Sequence, residues 1–156
     1  MPSFQLVGLA AEQFEPLFEL SDDRLAEAGA MRVLASEHPG YPCRISLLDA
    51  VVREELLLLT YAHHRVASPY QASGPIYVRR GATQRILRPG EVPDYVRLRL
   101  ISARAYDSAH MMVDAVVCEG VSVGAHIKQF FLDERVEYVH LHNAKRGCFS
   151  CLAARV

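Results

Sequence analysis

The sequence predicts an α+β fold: a single domain over residues 1–156, with a largely antiparallel sheet on which two or three helices pack. Three observations predict it. Short apolar runs bounded by Gly, Pro and Asn outnumber the amphipathic stretches, which is the pattern of many short strands. The helical stretches fall out of strict alternation with those runs, which argues against a parallel βαβ sheet. Composition is even along the chain, without internal repeat or low-complexity tract, and 51% apolar residues supply enough core for one domain of this length.

Taken in order, Phe4 to Leu9 reads as a strand, and Glu12 to Phe18 as a helical piece that Pro16 keeps short. The next helix has clearer ends. Ser21 caps it, Asp22 and Asp23 suit its positive pole, Leu25 and Ala28 form its apolar side, and Gly29 stops it. Strands are expected at Arg32 to Ala35, Arg44 to Leu47 and Glu55 to Tyr61, the first ended by the turn residues His38-Pro39-Gly40-Tyr41-Pro42. Between Tyr61 and a strand at Ile76 to Arg79 lies HHRVASPYQASGP, longer than most loops in a compact domain. Residues 91 to 107 are read as a short helix opened by Pro93 and then a strand; Met111 to Cys118 is a further strand. Val123, Ile127, Phe130 and Phe131 recur at helical spacing. Val136 to His142 and Phe149 to Ala153 close the chain as an antiparallel hairpin around Asn143-Ala144-Lys145-Arg146-Gly147.

Composition narrows the function classes. A formal charge of -1 lacks the basic excess that nucleic-acid binding exploits, so nucleic acid is not expected as a partner. All basic residues except Lys128 and Lys145 are arginine, which favours planar, bidentate contacts to carboxylate or phosphate. No apolar run approaches the roughly 18 residues of a membrane span, and Glu12 and Glu15 interrupt what would be a signal peptide. A cytoplasmic location is therefore expected, with Cys43, Cys118, Cys148 and Cys151 as thiols in a reducing compartment.

The segment richest in chemistry is His140-Leu141-His142-Asn143 followed by Gly147-Cys148-Phe149-Ser150-Cys151. On a strand, His140 and His142 share a face with Tyr138, while Val139 and Leu141 point into the core. A hairpin symmetrical about Lys145 sets His142 against Cys148 and His140 against Ser150, with Cys151 beside Val139. Two zinc arrangements are open. Either Cys148 and Cys151 form a chelating turn with the histidines, or His140, His142 and Cys148 converge with a fourth ligand such as Cys43. The competing readings are a cysteine-dependent enzyme, in which His142 activates Cys148, and an interaction module without a catalytic site. If a small molecule rather than a metal is the partner, the candidates to bind it are Arg44, Tyr70, Arg104 and Asp107. Gly120-Val121-Ser122-Val123-Gly124 matches a nucleophile elbow, but too little chain follows it for a hydrolase sheet, so Ser122 is assigned as a helix cap.

Four segments in order, PGYPCRISLLDA at 39 to 50, SPYQASGPIYVRR at 68 to 80, RAYD at 104 to 107 and HLHNAKRGCFSC at 140 to 151, resemble a bacterial family catalogued as domain of unknown function 1203. The resemblance implies no reaction. It embraces Cys43, His140, His142, Cys148 and Cys151 but neither Cys118 nor the Ser122 motif. Where that family has a Gly-Glu turn before a leucine-rich strand, this chain has Arg53-Glu54.

Overall fold

The computed structural model describes residues 2–156 and has ten strands and three α-helices. The strands divide between two five-stranded sheets rather than forming one. In the first, β1 (Phe4–Val7), β10 (Phe149–Arg155), β9 (Tyr138–Asn143), β7 (Leu100–Tyr106) and β8 (Met112–Glu119) lie side by side, all antiparallel. In the second the order is β2 (Ala30–Leu34), β5 (Glu55–His64), β6 (Ala72–Arg79), β3 (Pro42–Cys43) and β4 (Leu48–Asp49), with β3 and β6 the one parallel pair.

Each sheet has its own core. Ile101, Ala103, Val139 and Leu141 meet Val123, Ile127 and Phe130 of α3 (Val123–Phe130), the helix that the apolar spacing predicts. Under the second sheet, Leu57, Leu59 and Ile76 meet Leu25 of α1 (Asp22–Glu27) together with Phe14 and Phe18. These two phenylalanines sit on the stretch expected as one short helix, which folds as two 3-10 turns, Ala11–Gln13 and Glu15–Glu19. The capping of α1 is as expected: Ser21 Oγ accepts from Arg24 N at 3.3 Å.

Three local expectations are corrected. Arg44 to Leu47 is not a strand; it is the turn that joins β3 to β4, with Leu47 buried at φ 53°. Its apolar residues are there because the turn is buried, which periodicity does not distinguish from a buried strand. The long connection after Tyr61 is shorter than expected, because β5 runs on to His64 through a bulge and β6 begins at Ala72. The Ser122 motif is neither an elbow nor a side-chain cap. Ser122 is exposed and makes no capping bond, and the strand before it is an edge strand of an antiparallel sheet. Gly120 is required for a different reason. A β-carbon there would lie 2.0 Å from the carbonyl oxygen of Val96, in α2 (Asp94–Arg97).

Among the described residues no helix is long and apolar enough to cross a membrane. The four cysteines are free thiols.

Two substitutions test these assignments. Arg53 occupies the left-handed region at φ 80° with its side chain exposed, so Arg53→Gly is expected to stabilise the fold by about 0.5–1 kcal/mol in urea unfolding. Gly120→Ala should cost more than about 2 kcal/mol, because backbone rather than a flexible side chain must move, whereas Ser122→Ala stays within about 0.5 kcal/mol.

Candidate functional site

The terminal hairpin forms as the period-two pattern predicts, but with a different register. Val139 and Leu141 enter the core, and Tyr138, His140 and His142 take the opposite face. His142 pairs with Phe149, not Cys148, which makes the loop one residue longer than expected, and a bulge between Phe149 and Cys151 adds a second shift, so His140 pairs with Leu152, not Ser150. The extra residue is Ser150, fully buried, whose carbonyl accepts from the Tyr95 hydroxyl at 3.0 Å. The bulge keeps Cys151 in the core with Val139, where burial pushes its thiol up to about 12. It also leaves Cys148 just outside β10, at the tip of the hairpin.

Arg44 lies beneath that tip and is 1% exposed. Its Nε donates to the carbonyl of Phe149 at 2.8 Å, its Nη1 to that of Pro42 at 2.7 Å, and its Nη2 to Cys148 Sγ at 3.2 Å. Among the described residues no carboxylate pairs with it. A cavity of about 430 Å³ opens over Arg44 and Cys148. Asn143, Lys145 and Arg146 of the hairpin form one wall, and Leu58 and Leu100 supply apolar surface. Glu37 is the lone acidic residue of the lining; Arg99, also there, is held by Asp49. The Oδ1 of Asn143 is buried without a donor.

On the other side of Phe149 lies a face of histidines and tyrosines. His63 and His64, at the end of β5, meet His140, His142, Tyr106 and Tyr138 of the first sheet, with His63 stacked on Phe149 at 5.2 Å between centroids. The hydrogen bonds here have a defined direction, because a carbonyl can only accept. His64 Nδ1 donates to the Tyr70 carbonyl at 2.8 Å, so its Nε2 accepts from the Tyr138 hydroxyl at 2.6 Å. The same hydroxyl then accepts from His110 Nδ1 at 2.8 Å. His142 Nδ1 donates to the Gly147 carbonyl at 3.0 Å. The Nδ1 atoms of His63 and His140 are buried without partners. Burial, and then neighbouring positive charge, lowers His140 to about 2 and His63 to about 4. Burial lowers His142 to about 4 as well, opposed by its bond to Gly147 and reinforced by Arg104.

The expected zinc ligands are therefore brought to different places. Cys43 is buried under the second sheet, where its Sγ accepts from Arg79 N. Cys151 is in the core of the first sheet, Cys148 is beside Arg44, and His140 and His142 lie beyond Phe149. Among the described residues no group of three or more His, Cys, Asp or Glu side chains is placed to hold a metal ion. His142 is not the neighbour of Cys148 that an activating base would be; a guanidinium takes that position. Of the other candidates, Arg44 lines the cavity. Arg104 lies on the histidine face with its Nε on Ser102 Oγ at 3.2 Å. Tyr70 covers that face through its carbonyl, and Asp107 ties its own turn by accepting from Ala109 N and Met111 N. Sequence reasoning missed His63, His64 and His110 on one side of Phe149 and Lys145 and Arg146 on the other. A doubled histidine ending an apolar strand and a Lys-Arg pair at a hairpin tip were the available signals.

Residues 40–155 match a family described as "Protein of unknown function (DUF1203)". No curated protein and no solved structure matches the chain.

The buried imidazoles make stability depend on pH in a defined direction. His63, His140 and His142 titrate near 6.5 once unfolded but far lower when folded, so between about pH 4 and 6.5 the unfolded chain binds more protons. Their contribution is complete above pH 6.5; that of His63 and His142 is lost as pH falls to about 4, and that of His140 as it falls on toward 2. Urea midpoints should drop steadily over that range. His142→Asn, which keeps a donor for Gly147, should reduce the slope by up to about 1.4 kcal/mol per pH unit, one proton's worth.

Proposed function

The chain belongs to the DUF1203 family, whose description assigns no reaction, and from the chemistry of its own site we propose that it binds a small anionic ligand in the cavity above Arg44 and Cys148. The carrying observation is the buried guanidinium without a carboxylate. Arginine keeps its charge inside a protein, and carbonyl acceptors satisfy its hydrogen bonds without cancelling that charge. A buried charge left uncompensated is costly, so a site of this kind favours an arriving anion.

The rest of the lining agrees. Lys145 and Arg146 are exposed at the mouth and have no acidic partner among the described residues, so they add to the field of Arg44. The apolar wall of Leu58 and Leu100 suits an organic body carrying the charged group, and about 430 Å³ is within the size range of small-ligand sites.

Alkylation of Cys148 tests the reading directly. In a Cys118→Ser protein, Cys43 and Cys151 are buried and Cys148 is the accessible thiol. Iodoacetate and iodoacetamide differ chiefly in charge. Relative to a free small thiol, Cys148 is expected to favour iodoacetate several-fold, inorganic phosphate to slow that reagent selectively, and Lys145→Glu with Arg146→Glu to remove the preference. A reagent ratio equal to that of the free thiol, unaffected by phosphate, would overturn the assignment.

A further inference from the structure

Resting on the reading of this cavity as an anion site, we propose that Cys148 forms a mixed disulfide with a small, carboxylate-bearing disulfide bound there. Three features of the site lead to it. Cys148 is the one cysteine that lines the cavity, and the one whose sulfur accepts from a guanidinium. The thiolate is the form of a cysteine that attacks a disulfide, and the sulfur of Cys148 lies within hydrogen-bonding distance of the Arg44 guanidinium. The incoming molecule is specified by the walls: the cations at the floor and mouth suit carboxylates.

The exchange is balanced without any further oxidant. The Cys148 thiol gives its proton to solvent, and the sulfur attacks one sulfur of the bound disulfide. A new S–S bond forms as the old one breaks, and the departing thiolate takes up a proton. The disulfide is reduced to one thiol and one protein-bound half; Cys148 is oxidised. The other three thiols are elsewhere: Cys151 faces the core on the opposite side of β10, Cys43 is buried under the other sheet, and Cys118 is on the edge strand β8. With no second thiol in the cavity to resolve the adduct, it persists until an external thiol reverses it.

The experiment uses the reduced Cys118→Ser chain with oxidised glutathione, a negatively charged peptidic disulfide, and with cystamine, a positively charged one. Intact mass and peptide mapping follow the adduct on Cys148. One glutathionyl group on Cys148 is expected, with a glutathione-to-cystamine rate ratio at least about tenfold above that of the urea-unfolded chain. Lys145→Glu with Arg146→Glu, both at exposed positions, should return the ratio to the unfolded value. If iodoacetate selectivity holds but Cys148 gains no adduct, or gains it no faster than with cystamine, the disulfide proposal fails and the anion site stands. If iodoacetate selectivity is absent as well, both fail together.

Discussion

One buried arginine ties together three separate parts of this fold. The backbone N–H of Arg44 donates to Tyr77 of β6, its carbonyl accepts from Leu9 just beyond β1, and its guanidinium reaches the Phe149 carbonyl in β10. Each sheet has its own main core, and the histidine face joins the sheets on the far side of Phe149. Burying that charge works only because fixed acceptors surround it, two carbonyls and one sulfur within hydrogen-bonding distance. Hydrogen bonding is thus satisfied while the charge remains, and the cavity inherits the difference.

The bulge at Ser150 lies beside two of those acceptors, the Phe149 carbonyl and the Cys148 sulfur. One extra residue between Phe149 and Cys151 bends β10 and re-aims what precedes it. Phe149 keeps its ring on the histidine face and gives its carbonyl to Arg44, so the same residue separates two chemically distinct compartments. On one side is a cationic cavity with a thiol. On the other is a packed set of imidazoles and phenols whose hydrogen bonds run from His110 through Tyr138 to His64 and the Tyr70 carbonyl.

This division also accounts for how the histidines behave. Neutral imidazoles stack on aromatic rings and give or take one hydrogen bond per nitrogen, which suits a buried seam between sheets. His142 spends its Nδ1–H on Gly147 and so holds the hairpin tip that carries Lys145, Arg146 and Cys148. The histidine face shapes the cavity mechanically although its rings lie on the other side of Phe149.

Much of the fold was legible in the residue pattern, because strand and helix periods report local geometry. The hairpin, the burial of Val139 and Leu141 opposite His140 and His142, the Ser21 cap and the α3 stripe all follow from spacing. The division of the strands into two sheets was not legible, since apolar runs do not say which partner they will find. Nor was the register of the hairpin, because one bulged residue changes every pairing beyond it without changing the pattern of residue types. Nor was the placement of the candidate ligands: Cys148, Cys151 and the two histidines are near in the sequence but lie on different faces of the sheet, and Cys43 lies in the other sheet. By itself the sequence determined which side of each strand is apolar and which residues could carry chemistry. The tertiary structure alone decided that Arg44 meets Phe149 and Cys148, because a contact across more than a hundred residues depends on how two sheets pack, and local periodicity carries no information about that.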